Sequence, residues 1–258
     1  MEFEHSAEIW RDFPELVAGV VFADVITPDA AAGDSVAKFT AVARSRLADA
    51  TESELPEIRA WRSAFSRMGL KPTQYRCASE ALLRRIRKDG ALPGLHPLVD
   101  VCNAMSAAFA IPVAVFDLGK VTGRLDVRYA GGDEDYLNFS GETEHPGPHE
   151  VIFADQAGHV HARRWTNRQS GLSAVQGSTA TVLIVTEAMH ESASSDVPEL
   201  IAAVADELKA LWPVVPVTAV LSQAAPRFTL AVRDPIHSGN EQRRSGSSAT
   251  LGCDTRES

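Results

Sequence analysis

The stretch HPLVDVCNAMSAAFAIPVAVFD, residues 96–117, decides the fold. Leu98, Val101, Met105, Ala108 and Phe109 recur at helical spacing, while Asp100, Asn103, Ala104 and Ala107 form a second face of mostly small side chains. Such a face lies close to another backbone or to a ligand. Pro112 ends the helix, and residues 113–116 read as a short buried strand that delivers Asp117 to its far end. In VIFADQAGHVHARRWTNRQSG, residues 151–171, polar residues again fall at ordered places among core-building ones. The two stretches together point to a pocket rather than a plain core.

Working outward, residues 16–26 read as a Val-rich strand and residues 36–50 as a helix. A helix over 58–68 carries Trp61 and Phe65 on one face until Gly69 and Pro72 stop it, and Ser79 heads another with Leu82, Leu83 and Ile86 as its stripe. RLDVRY, residues 124–129, alternates strictly, with Leu125, Val127 and Tyr129 opposite Arg124, Asp126 and Arg128. An acidic, turn-rich loop runs from Gly131 to Glu150, followed by strands over 151–153, 159–165 and 179–186. Residues 196–213 form an amphipathic helix capped by Asp196, and 214–221 and 228–232 supply final strands. This order predicts an α+β fold with a mixed, mostly antiparallel β core and flanking helices. It divides the chain into an N-terminal strand-helix region (1–58), a main domain (59–233) and a tail (234–258) whose Ser, Gly and charge predict disorder.

Five segments occur in an order that carries a resemblance: YRCASEALLRRI (75–86), LVDVCN (98–103), FDLGKVTGRLDVRYA (116–130), VIFAD (151–155) and RRWTNRQSG (163–171). Over roughly residues 60–212 the chain resembles the B3/B4 tRNA-editing domain of the bacterial phenylalanyl-tRNA synthetase beta subunit, and more closely the free-standing proteins built from that domain alone. The resemblance implies the same α+β fold. It also implies a trans-acting editing factor, a deacylase that binds tRNA and hydrolyses a misacylated aminoacyl-tRNA ester. The alternative is a non-catalytic tRNA or amino-acid binding module of the same fold. No class II catalytic core is found in the sequence, so aminoacylation itself is not expected.

In that fold the ligand is expected between the helix of Asp100 and Asn103 and the strands around Asp117, Arg128 and Trp165. Asn103 falls on the Asn of the family's VDxTN segment, which implies that it orients substrate or water; otherwise it bonds a neighbouring loop. Asp100 is expected to hold Asn103 or a backbone amide. His96 adjoins the same place, and Trp165 either stacks a base or sits in or beside the core. Two departures matter. The synthetase has a His where this chain has Ala114, and GGEHSG where this chain has TNRQSG, so that Arg168 takes the place of a glutamate that reads the hydroxyl of misattached tyrosine. A cation cannot accept that hydrogen bond, so tyrosine is not the expected substrate. Asn167, Arg168, Gln169 and Ser170 become candidates for reading another amino acid or the terminal nucleotide. Ester hydrolysis needs an oriented water and donors for the oxyanion. The neighbouring ribose hydroxyl of the tRNA can assist, so no Ser/His/Asp triad is required.

A net charge of -9 would ordinarily discourage nucleic-acid binding, but its distribution is uneven. Residues 1–58 hold twelve Asp/Glu against four Lys/Arg, and residues 59–90 hold nine Lys/Arg against two Asp/Glu. Arg76, Arg84, Arg85, Arg87 and Lys88 are therefore the candidate RNA contacts, with a solvated helix face as the other reading. Cys77, Cys102 and Cys253 form no spaced pair and predict reduced thiols. His159 and His161 lack a third ligand and are read as solvent-facing, and His145 and His149 have the same weakness; no metal or cofactor is expected. The expected partners are aminoacylated tRNA and an aminoacyl-tRNA synthetase, not membrane or DNA. MEFEHSAEIW is too acidic for a signal peptide, and no apolar run is long enough to span a bilayer, so a cytoplasmic location is expected.

Overall fold

Alternation along the strands, more than helix propensity, sets how the layers stack. The computed structural model describes residues 1–230, so the tail at 234–258, the last residues of the 59–233 region, the end of the 228–232 strand and Cys253 lie outside the described residues. In chain order the chain forms β1 (Glu2–His5), α1 (Ala7–Asp12), β2 (Val17–Ala23), α2 (Gly33–Asp49), α3 (Pro56–Arg67) and α4 (Ala78–Asp89). Next come α5 (Pro97–Phe109), β3 (Val113–Asp117), β4 (Arg124–Tyr129), β5 (Asp135–Leu137) and β6 (Thr143–Glu144). The remainder is β7 (Val151–Asp155), β8 (His159–Arg163), β9 (Arg168–Gln169), β10 (Val182–Ala188), α6 (Ala193–Leu211), β11 (Val217–Leu221) and β12 (Arg227–Thr229).

One sheet has the antiparallel order β11-β2-β10-β3. In β10 every residue is buried, so both faces of this sheet need cover. Val182 and Ile184 pack with Leu98, Met105, Val197 and Ile201 of α5 and α6, whereas Leu183 and Val185 turn to the other side. There they meet the second sheet, whose order is β12-β1-β4-β7-β8-β5-β6 with β9 beside β8. Leu125, Val127 and Phe153 of that sheet, with Phe3, Trp61 and Phe65, fill the space between the layers. Among the described residues only β1–β4 and β5–β8 are parallel pairs, so the architecture is the expected α+β fold with a mixed, mostly antiparallel core and flanking helices.

Several local readings shift. The strand expected over 159–165 stops at Arg163, because Arg164 and Trp165 take left-handed φ of 48° and 56° and turn the chain inward. Ser79 does not head α4. Cys77 holds that position, and Ser79 lies fully buried as the second residue of the helix. Asp196 sits in the first turn of α6 rather than at its cap, and there accepts the Ser192 hydroxyl. The acidic N-terminus folds as β1, which buries Phe3 and His5 between β4 and β12.

Gly19 of β2 marks where α6 comes closest to the sheet. A Cβ there would lie 2.6 Å from Ile201 Cγ2 and 2.8 Å from Val197 Cγ1. Gly19→Val is expected to cost about 1–3 kcal/mol by overpacking, read as a lower urea midpoint at unchanged m-value.

Candidate functional site

β3 is an edge strand, hydrogen-bonded to β10 alone within its sheet, and the segment 166–169 is fastened across its free side. Gln169 Nε2 donates to the Val115 carbonyl at 2.5 Å, and Asn167 Nδ2 donates to the Arg76 carbonyl at 2.7 Å. The Ala78 amide donates to the Thr166 carbonyl at 2.9 Å, which ties the segment to the start of α4. Between these elements lies a cavity of about 70 Å³, lined by Pro112, Val113 and Ala114, by residues 165–169, and by Ala78, Phe153, Ala162, Val185 and Glu187. At about 10–15 Å³ per water it has room for about five waters or a small side chain.

Glu187 gives this largely apolar cavity a charged wall. It follows Leu183 and Val185 at the strand period, so it points between the sheets, and it is only 2% exposed. Oε1 accepts from Trp165 Nε1 at 2.9 Å and from His5 Nε2 at 2.6 Å, while Trp61 Nε1 donates to the backbone carbonyl at 3.2 Å. Among the described residues His5 is the only ion-pair partner of this carboxylate. Trp165 is fully buried and stands edge-on to Trp61 (5.1 Å, 89°) and Phe13 (4.8 Å, 78°). Its role is to close the core and hold Glu187, which replaces the reading of Trp165 as a stacking platform. Cys77 adjoins Ala78 but is no nucleophile, because burial pushes its thiol up to about 11.

Of the residues singled out from sequence, Ala114, Trp165, Asn167, Arg168 and Gln169 meet at this cavity. Arg168 also pairs with Glu144 at 3.4 Å and lies over the Tyr136 ring. The others do not reach it. Asn103 is half-buried on α5, and neither it nor Asp100 lines the cavity, because α5 packs against α2, α4, α6 and β3 instead. The small-residue face of α5 is filled by protein, with Ala104 and Ala107 in the core. Asp100 accepts the Leu95 amide at 2.9 Å. His96 caps α5 by accepting the Leu98 amide at 3.2 Å; burial lowers its pKa, opposed by Asp100. Asp117 accepts the Gly119 amide and the Thr179 hydroxyl, at the opposite end of β3 from Val113. Ser170 donates to the Leu137 carbonyl at 2.8 Å and is fully buried. The side chains of Asp100, Asp117 and Ser170 are thus held by the local fold.

Arg128 pairs with Glu134 away from the cavity. Burial alone would raise the Glu134 carboxyl, but the amides of Gly131 and Gly132 and the Arg128 guanidinium bring it from 4.5 to about 2. A depressed carboxyl stabilises the fold above its unfolded pKa and loses that contribution as pH falls through the folded value. Glu134→Gln is therefore expected to cost about 2 kcal/mol at pH 7 and almost nothing near pH 2, measured as urea unfolding across that range.

Arg84, Arg85, Arg87 and Lys88 lie along α4, and Arg76 just precedes it. Arg84 and Arg87 clamp Glu52 at 2.8 and 2.9 Å, and Arg76 approaches Glu80 at 3.4 Å. Arg85 and Lys88 are exposed and have no carboxylate partner among the described residues. The free positive charge is therefore smaller than the sequence count suggests. His161 is fully buried rather than solvent-facing, 3.3 Å from Asp155. Burial lowers its pKa against the pull of that carboxylate. Among the described residues, Glu57, His190 and Asp196 bring ligand atoms within 4.8 Å of one another. Arg46 occupies Glu57 at 2.6 Å, and both carboxylates lie in first turns of helices, whose partial positive charge also opposes a cation.

Sequence reading missed Glu187 and His5. The signal for the first is VLIVTEA, an apolar run broken by a glutamate on the side of Leu183 and Val185. The second gives no local signal, because His5 reaches Glu187 only through the pairing of β1 with β4.

The 30% of this chain that is 34% identical to the phenylalanine–tRNA ligase beta subunit of Cereibacter sphaeroides covers 9% of that protein. A longer match to the beta subunit of Zymomonas mobilis, at 27% identity, covers 71% of this chain and 25% of that one. The chain thus spans between about a tenth and a quarter of the length of these relatives. A crystal structure of an N-terminal fragment of the phenylalanyl-tRNA synthetase beta subunit from Pyrococcus horikoshii overlays with a TM-score of 0.39 at 10% identity, covering 78% of this chain and 48% of that one. Among the described residues no helix is long and apolar enough to cross a membrane. The family model of the B3/4 domain matches residues 60–197, more than half of the sequence and including most residues around the cavity, and the chain belongs to the B3/4 domain family.

Proposed function

We propose that this protein binds aminoacyl-tRNA and hydrolyses the aminoacyl ester in trans, with the aminoacyl group entering the cavity beside Ala114 and residues 166–169. One observation supports this reading above the others. The two places where the sequence departs from the synthetase editing segments, Ala114 and TNRQ, converge on one cavity that ends at the buried Glu187. The relatives are tRNA ligase subunits by name, which favours tRNA as the carrier of the acyl group. A cavity of about 70 Å³ suits a small side chain better than an aromatic one. Val113, Ala114 and Val185 enclose the side chain and exclude water from it, while the ester carbonyl stays at the mouth, where solvent water attacks with help from the adjacent ribose hydroxyl. Arg168 supplies a cation beside the mouth for the terminal nucleotide.

α4 begins at the cavity with Ala78 and carries Arg85 and Lys88 about 10 and 15 Å along its axis at 1.5 Å per residue. That places both within reach of the phosphates of an acceptor stem whose end enters the cavity. Replacing both by Ala is expected to reduce the slope of log affinity against log salt by about 1–2. An unchanged slope would make them a solvated face.

The test of the whole reading is single-turnover deacylation by the full chain on a panel of mischarged tRNAs. At least one non-tyrosyl ester should be hydrolysed well above its spontaneous rate. The second reading, a non-catalytic binding module, is favoured by Ala114 standing where the synthetase segment carries a His, and it is the outcome if every ester decays only at the spontaneous rate while tRNA binds.

A further inference from the structure

We infer that Glu187 is the specificity-determining acceptor for the free α-ammonium of the acyl group. This rests on the cavity being the aminoacyl site, and it adds the chemical class of ligand: an α-amino acid with an unblocked amine, not an α-hydroxy or N-acyl acid. Both hydrogen bonds on the Glu187 side chain fall on Oε1, from Trp165 and His5, so Oε2 is the acceptor left for a ligand. His5 Nδ1 is buried without a hydrogen-bond partner. His5 therefore meets Glu187 through Nε2 alone, on the same oxygen that Trp165 uses. Among the described residues no Lys or Arg contacts Glu187. A buried carboxylate facing a cavity with apolar walls is costly when empty and binds a cation strongly when filled, because the low dielectric that penalises the lone charge strengthens the pair. A primary ammonium suits this acceptor: it is compact, positively charged and has only donors.

The position is also rigid. Trp165 and Trp61 hold the side chain and the backbone of Glu187 from two directions, and Thr186, the residue before it, is paired with both Gly19 and Val113. A fixed acceptor discriminates amine from hydroxyl by charge more than by shape.

The experiment measures, by calorimetry, binding of two non-hydrolysable 3′-amido adenosine analogues to the full chain, one carrying an alanyl group and the other its α-hydroxy counterpart. Wild type should bind the amine about 10- to 100-fold more tightly, the order of one charge-assisted hydrogen bond. Glu187→Gln preserves the shape and both Oε1 contacts but removes the charge, so it should erase that preference while melting within a few degrees of wild type. Equal affinity of wild type for the two analogues, no binding of either, or a preference that survives in Glu187→Gln each overturns the inference. Deacylation measured on the same preparations reports separately on the proposed hydrolysis. An amine preference with no deacylation would sink the enzyme reading and keep the ammonium site.

Discussion

Ala114→Phe is expected to lower single-turnover deacylation by roughly 100-fold or more while leaving tRNA affinity within a few fold of wild type. Ala114 lines the cavity from an edge strand and is only half-buried, so a phenyl ring has a void to enter instead of a packed core to split. With about 70 Å³ available, the ring displaces the acyl group outright. A misplacement of about 1 Å already costs about 100-fold in a positioned reaction. The phosphate-facing surface of α4 is untouched by this change, which is why binding and hydrolysis should separate. Equal loss of both would mean that the substitution had unfolded β3, and circular dichroism would show it.

Trp165→Ala is expected to destabilise the fold by about 3–5 kcal/mol, the largest effect of any single truncation around the cavity. The indole is fully buried, edge-on to Trp61 and Phe13, and its Nε1 is one of two donors on Glu187. Truncation leaves a cavity and strips a buried carboxylate of a partner, and the two costs add. Trp165→Phe keeps most of the packing and loses only the donor, so it should cost about 1–3 kcal/mol. Urea unfolding of both variants separates the packing part from the hydrogen bond. If the two variants were equally unstable, the indole N–H would carry the effect and the packing none of it.

The architecture was legible wherever one residue settled a local question. Pro97 at the first turn and Pro112 just beyond the last bracket α5, the strict alternation of RLDVRY gives β4, and the Trp61 and Phe65 stripe gives α3. What each face then meets was not legible. Periodicity marks the Asp100 and Asn103 face of α5 as distinct, but the packing of α2, α4 and α6 around that helix is a tertiary fact, and it leaves Asn103 away from the cavity. The turn at Arg164 and Trp165 escaped for another reason. Two consecutive left-handed residues without glycine contradict local propensity, and burial of the indole with its bond to Glu187 holds them there. The site was legible in part. The TNRQ segment and Ala114 stand out as departures from a family pattern and do line the cavity, but the carboxylate beside them comes from a strand that reads as plain core. The sequence count also overstates the free charge, since Glu52 on the acidic side of the sequence pairs with both Arg84 and Arg87 on the basic side.

The claim on which the rest depends is that the acyl group occupies the cavity between β3, β10 and residues 165–169. It is tested most directly by isotope-edited nuclear Overhauser contacts between the methyl-labelled protein and the bound alanyl amide analogue. Contacts are expected from the analogue methyl to Val113, Ala114, Ala162 and Val185, all lost in Ala114→Phe. Contacts to the α5 alanines beside Asn103, with none to Ala114 or Val185, would contradict it.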